Sequence, residues 1–459
     1  MIGIDQLPDD VLLEIFHFYV NMSKYYDKSG IEEWQSLVHV CRRWRSIAFV
    51  SPRRLDLKLY CTPDTPAKDT LDVWPALPLI VEGTPDFLSS NIITALGQNN
   101  RVCQVDLSLS GWSSEEVLAA MQVPFPELTD LQLSYHHALP VIPDSFLGGS
   151  APRLRSLTLN SISFPGLPKL LLSATQLVRL RLLRIPHSAY ISPQVIVALL
   201  STLSSLESLY LGFRSLQSRP DRESPSLHPQ KRSTLPALID FHFKGVTEYL
   251  EELMTRIDTP QLDRMNINFF NQIDFHCPRL AEFINCTPTL RALNEAHVQF
   301  DDSIAGVTLG SRTSEFRLDK LVIDISCREP DWQLSSIEQV CNWSLPPLST
   351  VEALYMDHRY SNLVWRNEAI EDTLWLELLL PFTALRNLYL SNEFAPGIAA
   401  ALQELVVDRI TEVLPSLQNI FVERLELLGS FQESIGQFIT ARQLSDHPIA
   451  ISDWDKDSG

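Results

Sequence analysis

The sequence predicts an α/β fold: a helical module at the N-terminus, then a repeat solenoid of parallel strands and outer helices. Three observations predict it. A motif of the form L-x-x-L-x-L recurs from about residue 100 onward, at intervals of 23 to 34 residues. Segments with helical spacing of apolar residues separate its copies, and the first fifty or so residues lack the motif. Such a recurrence is typical of a solenoid, because one short unit buries its apolar face only against its neighbours.

The motif copies define the predicted strands. Each copy ends in an alternating apolar–polar–apolar triplet, the pattern of a short strand with one buried face. A weaker copy, L-R-A-L-N-E, begins at Leu290, and alternating leucines at 55–59 and 77–81 predict one or two earlier strands. The central apolar residues of the copies are Val105, Leu131, Leu157, Leu180, Leu209, Phe241, Met265, Leu293, Leu321, Leu354, Leu388 and Ile420.

Helical segments lie between the predicted strands. Each has apolar residues at steps of three and four, and good starting residues open two of them, Ser113 before acidic residues and Ser192 before Pro193. The alternation of strands and helices predicts parallel strands on the concave face of a horseshoe, with helices outside. The predicted helices are 113–121, 193–204, 246–257, 335–343, 369–380 and 398–414.

The repeat pattern resembles that of leucine-rich repeats. It lacks the Asn that follows the strand in common members of that family, and the equivalent positions hold His136, Ile162, Ile185 and Arg214. The resemblance implies the longer, helix-containing type of repeat, with irregular turns.

Composition and motifs exclude several classes of function. A formal net charge of −19, from 37 Lys and Arg against 56 Asp and Glu, argues against nucleic acid or a membrane surface as a partner. Only 16 residues are Gly, which disfavours Gly-rich phosphate loops. The sequence has no G-x-S-x-G, H-E-x-x-H, P-loop or G-x-G-x-x-G motif and no Cys–His group with zinc spacing. We therefore expect no catalytic residue, cofactor or metal, and an enzyme whose site no motif reveals is the third alternative.

Cysteine usage bears on the compartment. The seven cysteines are odd in number and form no C-x-x-C, and residues 1–10 lack the basic start and apolar core of a signal peptide. No apolar run reaches the roughly 18 residues that a membrane span needs. We expect free, mostly buried thiols and a cytoplasmic or nuclear location.

The first fifty residues form a separate helical segment. Pro8, Asp9 and Asp10 suit the first turn of a helix, in which apolar residues then recur at helical steps up to Tyr19. A second amphipathic segment covers 31–47. So short a module makes a poor independent core, and a partner surface is one source of added stability.

Two motifs in this segment, L-P-D-D-V-L-L-E-I-F at 7–16 and V-C-R-R-W at 40–44, resemble an F-box. The family uses three helices to bind a Skp-type adaptor, which joins it to a cullin scaffold and a ubiquitin-conjugating enzyme. Asp10 stands where the family more often has Glu, and an enlarged loop is expected near 21–30. The alternative is a helical cap on the first repeat with no adaptor. By this resemblance, the adaptor-binding residues are Leu7, Pro8, Ile15, Phe16, Val40, Cys41 and Trp44.

Two further segments, 51–81 and 375–390, are similar to fungal, especially mushroom-type, F-box proteins. With the F-box motifs, the resemblance covers most of the chain. An F-box followed by a repeat solenoid is the layout of a substrate receptor in the ubiquitin conjugation pathway.

The concave face follows from the motif, since the residue between its last two apolar positions points away from the core. The last three repeats place Tyr355, Tyr389 and Phe421 there. We predict that these three bind a protein substrate, together with Tyr360, Trp365 and Arg366 in the segment 357–372. Strand propensity of aromatics and a turn pinned by its own Trp are the alternatives. The earlier positions are Asp106, Gln132, Thr158, Arg181, Tyr210, His242, Asn266, Asn294 and Val322.

The predicted organisation is an F-box-like module (1–50), a linker with the first repeats (51–100), the solenoid (101–441) and a C-terminal tail (442–459). The predicted function is the substrate-receptor subunit of a Skp–cullin–F-box ubiquitin ligase. A leucine-rich-repeat scaffold that binds proteins without a ligase role is the alternative.

Overall fold

The computed structural model of the chain contains two compact units, Met1–Ala189 and Tyr190–Gly459. Each has its own helices and strands. The residues that the structure describes are 4–23, 33–64, 66–84, 89–110, 113–135, 141–216, 232–291, 293–313, 316–358, 372–405, 411–425 and 429–455.

Three helices open the first unit: α1 (Asp9–Ser23), α2 (Glu33–Val40) and α3 (Arg42–Val50). Two acidic residues occupy the first turn of α1, where they complement the helix dipole. Cys41 caps α3, because its sulfur accepts a hydrogen bond from the backbone N–H of Trp44 at 3.5 Å. The three-helix module that the resemblance implies is therefore present. Helix α1 continues to Ser23, into the segment 21–30 that was predicted as an enlarged loop, and residues 24–30 of that segment lie outside the described part.

Parallel strands in sequence order form the sheet of the first unit. Val105, Leu131, Leu157 and Leu180 are paired across neighbouring strands and buried, as the motif predicts. The strands are β1 (Leu59–Cys61), β2 (Leu79–Gly83), β3 (Val102–Leu109), β4 (Asp130–Tyr135), β5 (Ser156–Asn160) and β6 (Arg179–Ile185). The helices between them are α4 (Ala67–Val73), α5 (Ser89–Leu96), α6 (Ser113–Ala120) and α7 (Leu167–Ser173).

The second unit continues the alternation of strands and helices. Its strands are β7 (Ser208–Phe213), β8 (Ser233–Thr234), β9 (Asp240–Gly245), β10 (Ile257–Asp258), β11 (Arg264–Phe269), β12 (Glu295–Phe300), β13 (Ile304–Thr313), β14 (Phe316–Ser326), β15 (Ala353–His358), β16 (Asn387–Leu390), β17 (Asn419–Val422) and β18 (Ala450–Asp453). Its helices are α8 (Pro193–Leu200), α9 (Thr247–Met254), α10 (Pro278–Cys286), α11 (Pro330–Trp343), α12 (Asp372–Leu379), α13 (Ala395–Gln403) and α14 (Gly429–Leu444). The strand order is β7-β9-β11-β14-β13-β12-β15-β16-β17-β18, while β8 pairs with β10 in a separate two-stranded sheet.

One insertion breaks the parallel order. Strand β13 runs antiparallel to both β12 and β14, so that β14 pairs with β11 and β12 pairs with β15. The prediction of a strand from the weak motif copy at Leu290 is therefore wrong. Asn294 precedes the strand and does not hold the sheet-face position that was predicted for it. The strand begins at Glu295, because Ala296, Val298 and Phe300 alternate into the core and are fully buried.

The last predicted boundaries also differ from the structure. Helix α13 ends at Gln403, earlier than the predicted 414. The predicted tail contains the end of α14 and the whole of β18, which pairs in parallel with β17. Regular structure therefore continues beyond residue 441, because backbone pairing extends the sheet without another motif copy.

The cysteines are free thiols, and Cys61, Cys277, Cys327 and Cys341 are buried. Burial raises the pKa of Cys277 and of Cys341 well above the ordinary value of a thiol. These four thiols pack in the core.

Candidate protein-interaction surfaces

Helix α1 has one buried and one exposed apolar stripe. Leu12, Phe16 and Val20 recur at four-residue steps and are buried. Ile15 and Phe18 are 42% and 67% exposed, and Val11 and Tyr19 are exposed on the same side. The helix thus packs into its module and still presents apolar side chains outward.

The junction of α2 and α3 also carries apolar side chains. Val40, the last residue of α2, is 59% exposed, while Cys41 and Trp44 are half-buried. The rings of Phe16 and Trp44 pack together with centroids 4.8 Å apart. Phe16 is fully buried, so it shapes the surface from beneath and does not face a partner itself.

Polar contacts fix α1 against α3. The Arg43 guanidinium donates through Nη2 to Asp9 Oδ1 at 2.6 Å and to the carbonyl oxygen of Leu7 at 2.5 Å. Arg54 pairs with Glu14 farther along the helix. Exposed ion pairs contribute little stability, so these contacts add only modestly to the packing of α1 in its module.

A second aromatic cluster attaches the helical module to the first repeat. The Trp34 ring lies 5.2 Å from Trp74, and Phe49 lies 6.1 Å from Trp34 and 6.3 Å from Trp74. The indole N–H of Trp34 donates to the carbonyl oxygen of Lys58 at 3.1 Å. Trp34 and Phe49 therefore make the capping contact with the repeats, from residues other than those predicted to bind an adaptor.

Four ring side chains stack along the sheet of the second unit. Strand register aligns His297, Tyr355, Tyr389 and Phe421 on β12, β15, β16 and β17, and we call these four residues the aromatic ladder. Successive ring centroids lie 4.2, 4.2 and 4.5 Å apart, with interplanar angles of 6°, 9° and 10°. Side chains at matching positions of neighbouring strands stack in this way because the strands are about 4.8 Å apart.

Polar pairs accompany the aromatic ladder along the same strands. Asn419 Nδ2 donates to Asn387 Oδ1 at 2.8 Å, and Gln299 Nε2 donates to Asp357 Oδ1 at 2.9 Å. Each member of the ladder is half-exposed, whereas the alternate residues of the same strands are buried. The ladder is therefore an accessible surface on the sheet face opposite the core.

Residues 4–56 match the F-box-like family model. No curated protein matches the chain. Among solved structures, the chain is similar to the leucine-rich repeat-containing protein LegL7 from Legionella pneumophila, with 13% identity and a TM-score of 0.28, over 83% of this chain and 98% of that chain. The repeat architecture described above depends on the strand register and not on this similarity.

The F-box-like match coincides with α1 to α3 and the turn after them. Of the predicted adaptor-binding residues, Pro8, Ile15 and Val40 are exposed, Leu7, Cys41 and Trp44 are half-buried, and Phe16 is buried. Their contact with an adaptor stays a prediction.

The predicted substrate-binding residues divide into two groups. Tyr355, Tyr389 and Phe421 are adjacent, as the motif positions predict, and their binding of a substrate stays a prediction. Tyr360, Trp365 and Arg366 lie outside the described residues.

Sequence reasoning missed two aromatic residues of this region. His297 extends the ladder by one strand, and the alternation of Ala296, Val298 and Phe300 was the signal for it. Trp454 follows β18, and its ring centroid lies 5.7 Å from Tyr389. No motif copy covers Trp454, so only the folded chain brings it here.

Within the described residues, no group of three or more His, Cys, Asp or Glu side chains is placed to hold a metal ion. None of the described helices is both long and apolar enough for a membrane span. On the sheet face of the first unit, neighbouring side chains partly desolvate the exposed Asp106 carboxyl and raise its pKa, which a hydrogen bond with Gln132 partly offsets.

Proposed function

We propose that the chain is a substrate receptor of a Skp–cullin–F-box ubiquitin ligase. In this role the F-box-like module binds a Skp-type adaptor, and the adaptor links it to a cullin scaffold. The repeats bind a protein substrate. The observation that carries the proposal is the F-box-like match over a module whose first helix keeps an exposed apolar stripe after packing.

The receptor acts by binding alone and transfers no group itself. Burying an exposed Ile or Phe side chain of α1 against an adaptor contributes about 1.5–3 kcal/mol, and a few such residues dominate most interfaces. The substrate-binding surface in this proposal is the aromatic ladder. The proposed location is the cytoplasm or nucleus. A fungal origin, which the similarity of 51–81 and 375–390 to fungal proteins implies, stays a prediction.

A scaffold without a ligase role is the second candidate. The cluster of Trp34, Phe49 and Trp74 favours it, because a solenoid needs a cap on its terminal repeat and this cluster supplies one. A pure cap, however, gives no reason for the exposed stripe of α1. The two candidates therefore differ in what covers Ile15 and its neighbours.

Adaptor binding separates the candidates. The full chain is mixed with a purified Skp-type adaptor, and the dissociation constant is measured for the wild type, for Ile15→Asp and for Val73→Asp. Val73 is 73% exposed on α4, outside the F-box-like match, and is the matched control. We expect Ile15→Asp to weaken binding at least tenfold and Val73→Asp to leave it unchanged. Absence of adaptor binding by the wild type would refute the receptor role and favour the scaffold.

A further inference from the structure

The chain places one of its own side chains on the aromatic ladder. The ring centroid of Trp454 lies 5.7 Å from Tyr389 and 6.1 Å from Tyr355, inclined by 64° and 55°. The ladder rings turn their faces toward one another, so an incoming group approaches their edges. Inclined edge-to-face contact is a favourable geometry for aromatic pairs. Trp454 therefore shows which kind of group fits this surface.

The strand that carries Trp454 buries little apolar surface. Ile449 is buried just before it, but Ala450, Ser452 and Asp453 are exposed and Ile451 is half-buried. In contrast, Ile420 and Val422 of the neighbouring β17 are fully buried. A segment with few buried apolar contacts opens at a lower free-energy cost than the strands of the core.

Backbone hydrogen bonds provide the other attachments of β18. The N–H of Ala450 donates to Gln418 O and that of Trp454 to Val422 O, both at 2.9 Å. The Asp453 carboxylate accepts from the N–H of Leu425 at 3.0 Å. Strand β18 ends the strand order beside β17. Another extended segment with a suitable side chain reproduces the backbone bonds of a terminal strand, which is the basis of recognition by strand addition.

We propose that Trp454 is an internal ligand of the aromatic ladder, and that a substrate binds by replacing it. The substrate then contributes an extended segment alongside β17 with a large aromatic side chain, as Trp454 now does, against Tyr355 and Tyr389. This inference rests on the proposed function, because it specifies the class of substrate that the receptor takes. The C-terminal segment then lowers the apparent affinity for substrate, since only the fraction of molecules with Trp454 displaced is competent to bind.

A peptide of the chain's own sequence, I-A-I-S-D-W-D (449–455), is the probe. It is labelled with a fluorophore, and binding to the full chain is measured by fluorescence polarisation for the wild type and for Trp454→Ala. We expect at least tenfold tighter binding to Trp454→Ala, because the tethered indole competes at a high effective concentration in the wild type. The same peptide with Ala in place of Trp is expected not to bind, and adding Tyr389→Ser to Trp454→Ala is expected to abolish binding.

Equal affinity for the wild type and for Trp454→Ala, or equal affinity of the two peptides, overturns the proposal. Hydrogen exchange of the wild type tests displacement without a substitution. We expect the amides of β18 to exchange at least a hundredfold faster than those of β17, and equal protection contradicts a displaceable strand. Neither experiment involves the adaptor. A protein that binds adaptor and fails these tests loses only this inference, whereas one that passes them without binding adaptor loses only the ligase role.

Discussion

Tyr389 is the residue through which the aromatic ladder is best tested. It stacks on Tyr355 at 4.2 Å and on Phe421 at 4.5 Å, and it also contacts Trp454. Each aromatic pair contributes about 0.5–1.5 kcal/mol beyond the burial of area. We therefore expect Tyr389→Ala to lower the free energy of unfolding of the second unit by about 2–4 kcal/mol.

Tyr210 is the matched control for this substitution. It occupies the corresponding position on β7, and its ring stacks on His242 with centroids 5.4 Å apart. Because this spacing is longer than the two around Tyr389, Tyr210→Ala is expected to cost less, about 1 kcal/mol. The two changes place Ala at equivalent positions of one sheet, so their difference reports the stacking.

Urea unfolding with a double-mutant cycle on Tyr389 and Phe421 measures the effect. The pair is expected to show a coupling energy of about 1 kcal/mol, because the two rings are in direct contact. Signals from the second unit are used, since the chain contains two compact units that need not unfold together. Equal costs for Tyr389→Ala and Tyr210→Ala, together with a coupling near zero, would refute stacking as the basis of the ladder.

Three further predictions concern stability and reactivity. Arg442 is fully buried, and its Nη2 lies 3.3–3.4 Å from three backbone carbonyl oxygens. Arg442→Leu leaves these carbonyl groups without this donor, so it is expected to destabilise the second unit by about 1–3 kcal/mol in urea unfolding, and an unchanged stability contradicts this role. Cys286 is exposed, whereas burial raises the pKa of Cys277 and Cys341. Alkylation at pH 8, mapped by mass spectrometry, should therefore label Cys286 before Cys277 and Cys341, and early labelling of the two buried thiols would contradict this prediction. Asp106 is exposed, but neighbouring side chains partly desolvate its carboxyl and raise its pKa, so the folded state holds that proton more tightly than the unfolded chain and loses a little stability as the pH rises through about 4 and above. Asp106→Asn should therefore raise the melting temperature at pH 7 and have less effect at pH 3, and a gain that is equal at both pH values argues against this cause.

The sequence predicts the repeated strands well, because their pattern is local. A buried Leu at positions such as 131, 157 and 180 follows from alternation within six residues, and neighbouring copies then pair in register. The same argument places Tyr355, Tyr389 and Phe421 side by side, since the motif fixes the register on which they stack.

Features that depend on non-local pairing were not predictable in this way. The antiparallel β13 carries no motif and changes which strands β12 and β14 meet. The weak motif copy at Leu290 placed Asn294 on the sheet face, three residues before His297, which is the residue aligned with Tyr355. The burial of Phe16 depends on the other helices of its module, because its spacing from Ile15 alone does not decide which of the two faces a partner.

The strands on either side set the limits of the aromatic ladder. At the positions aligned with the ladder, the inserted strand β13 has Thr308 next to His297, and β18 has Ser452 next to Phe421. Small polar side chains thus end the run of rings on both sides. Its four rings extend over about 13 Å, and Trp454 lies over the two central rings.

A surface of this size fits one large aromatic side chain over its two central rings and leaves one ring of the ladder uncovered at each end. Substitution of a central ring, Tyr355 or Tyr389, should therefore weaken binding of an aromatic segment more than substitution of His297 at the end. If His297→Ala costs as much affinity for the 449–455 peptide as Tyr355→Ala, in proteins that carry Trp454→Ala, the bound side chain does not take the place of the indole.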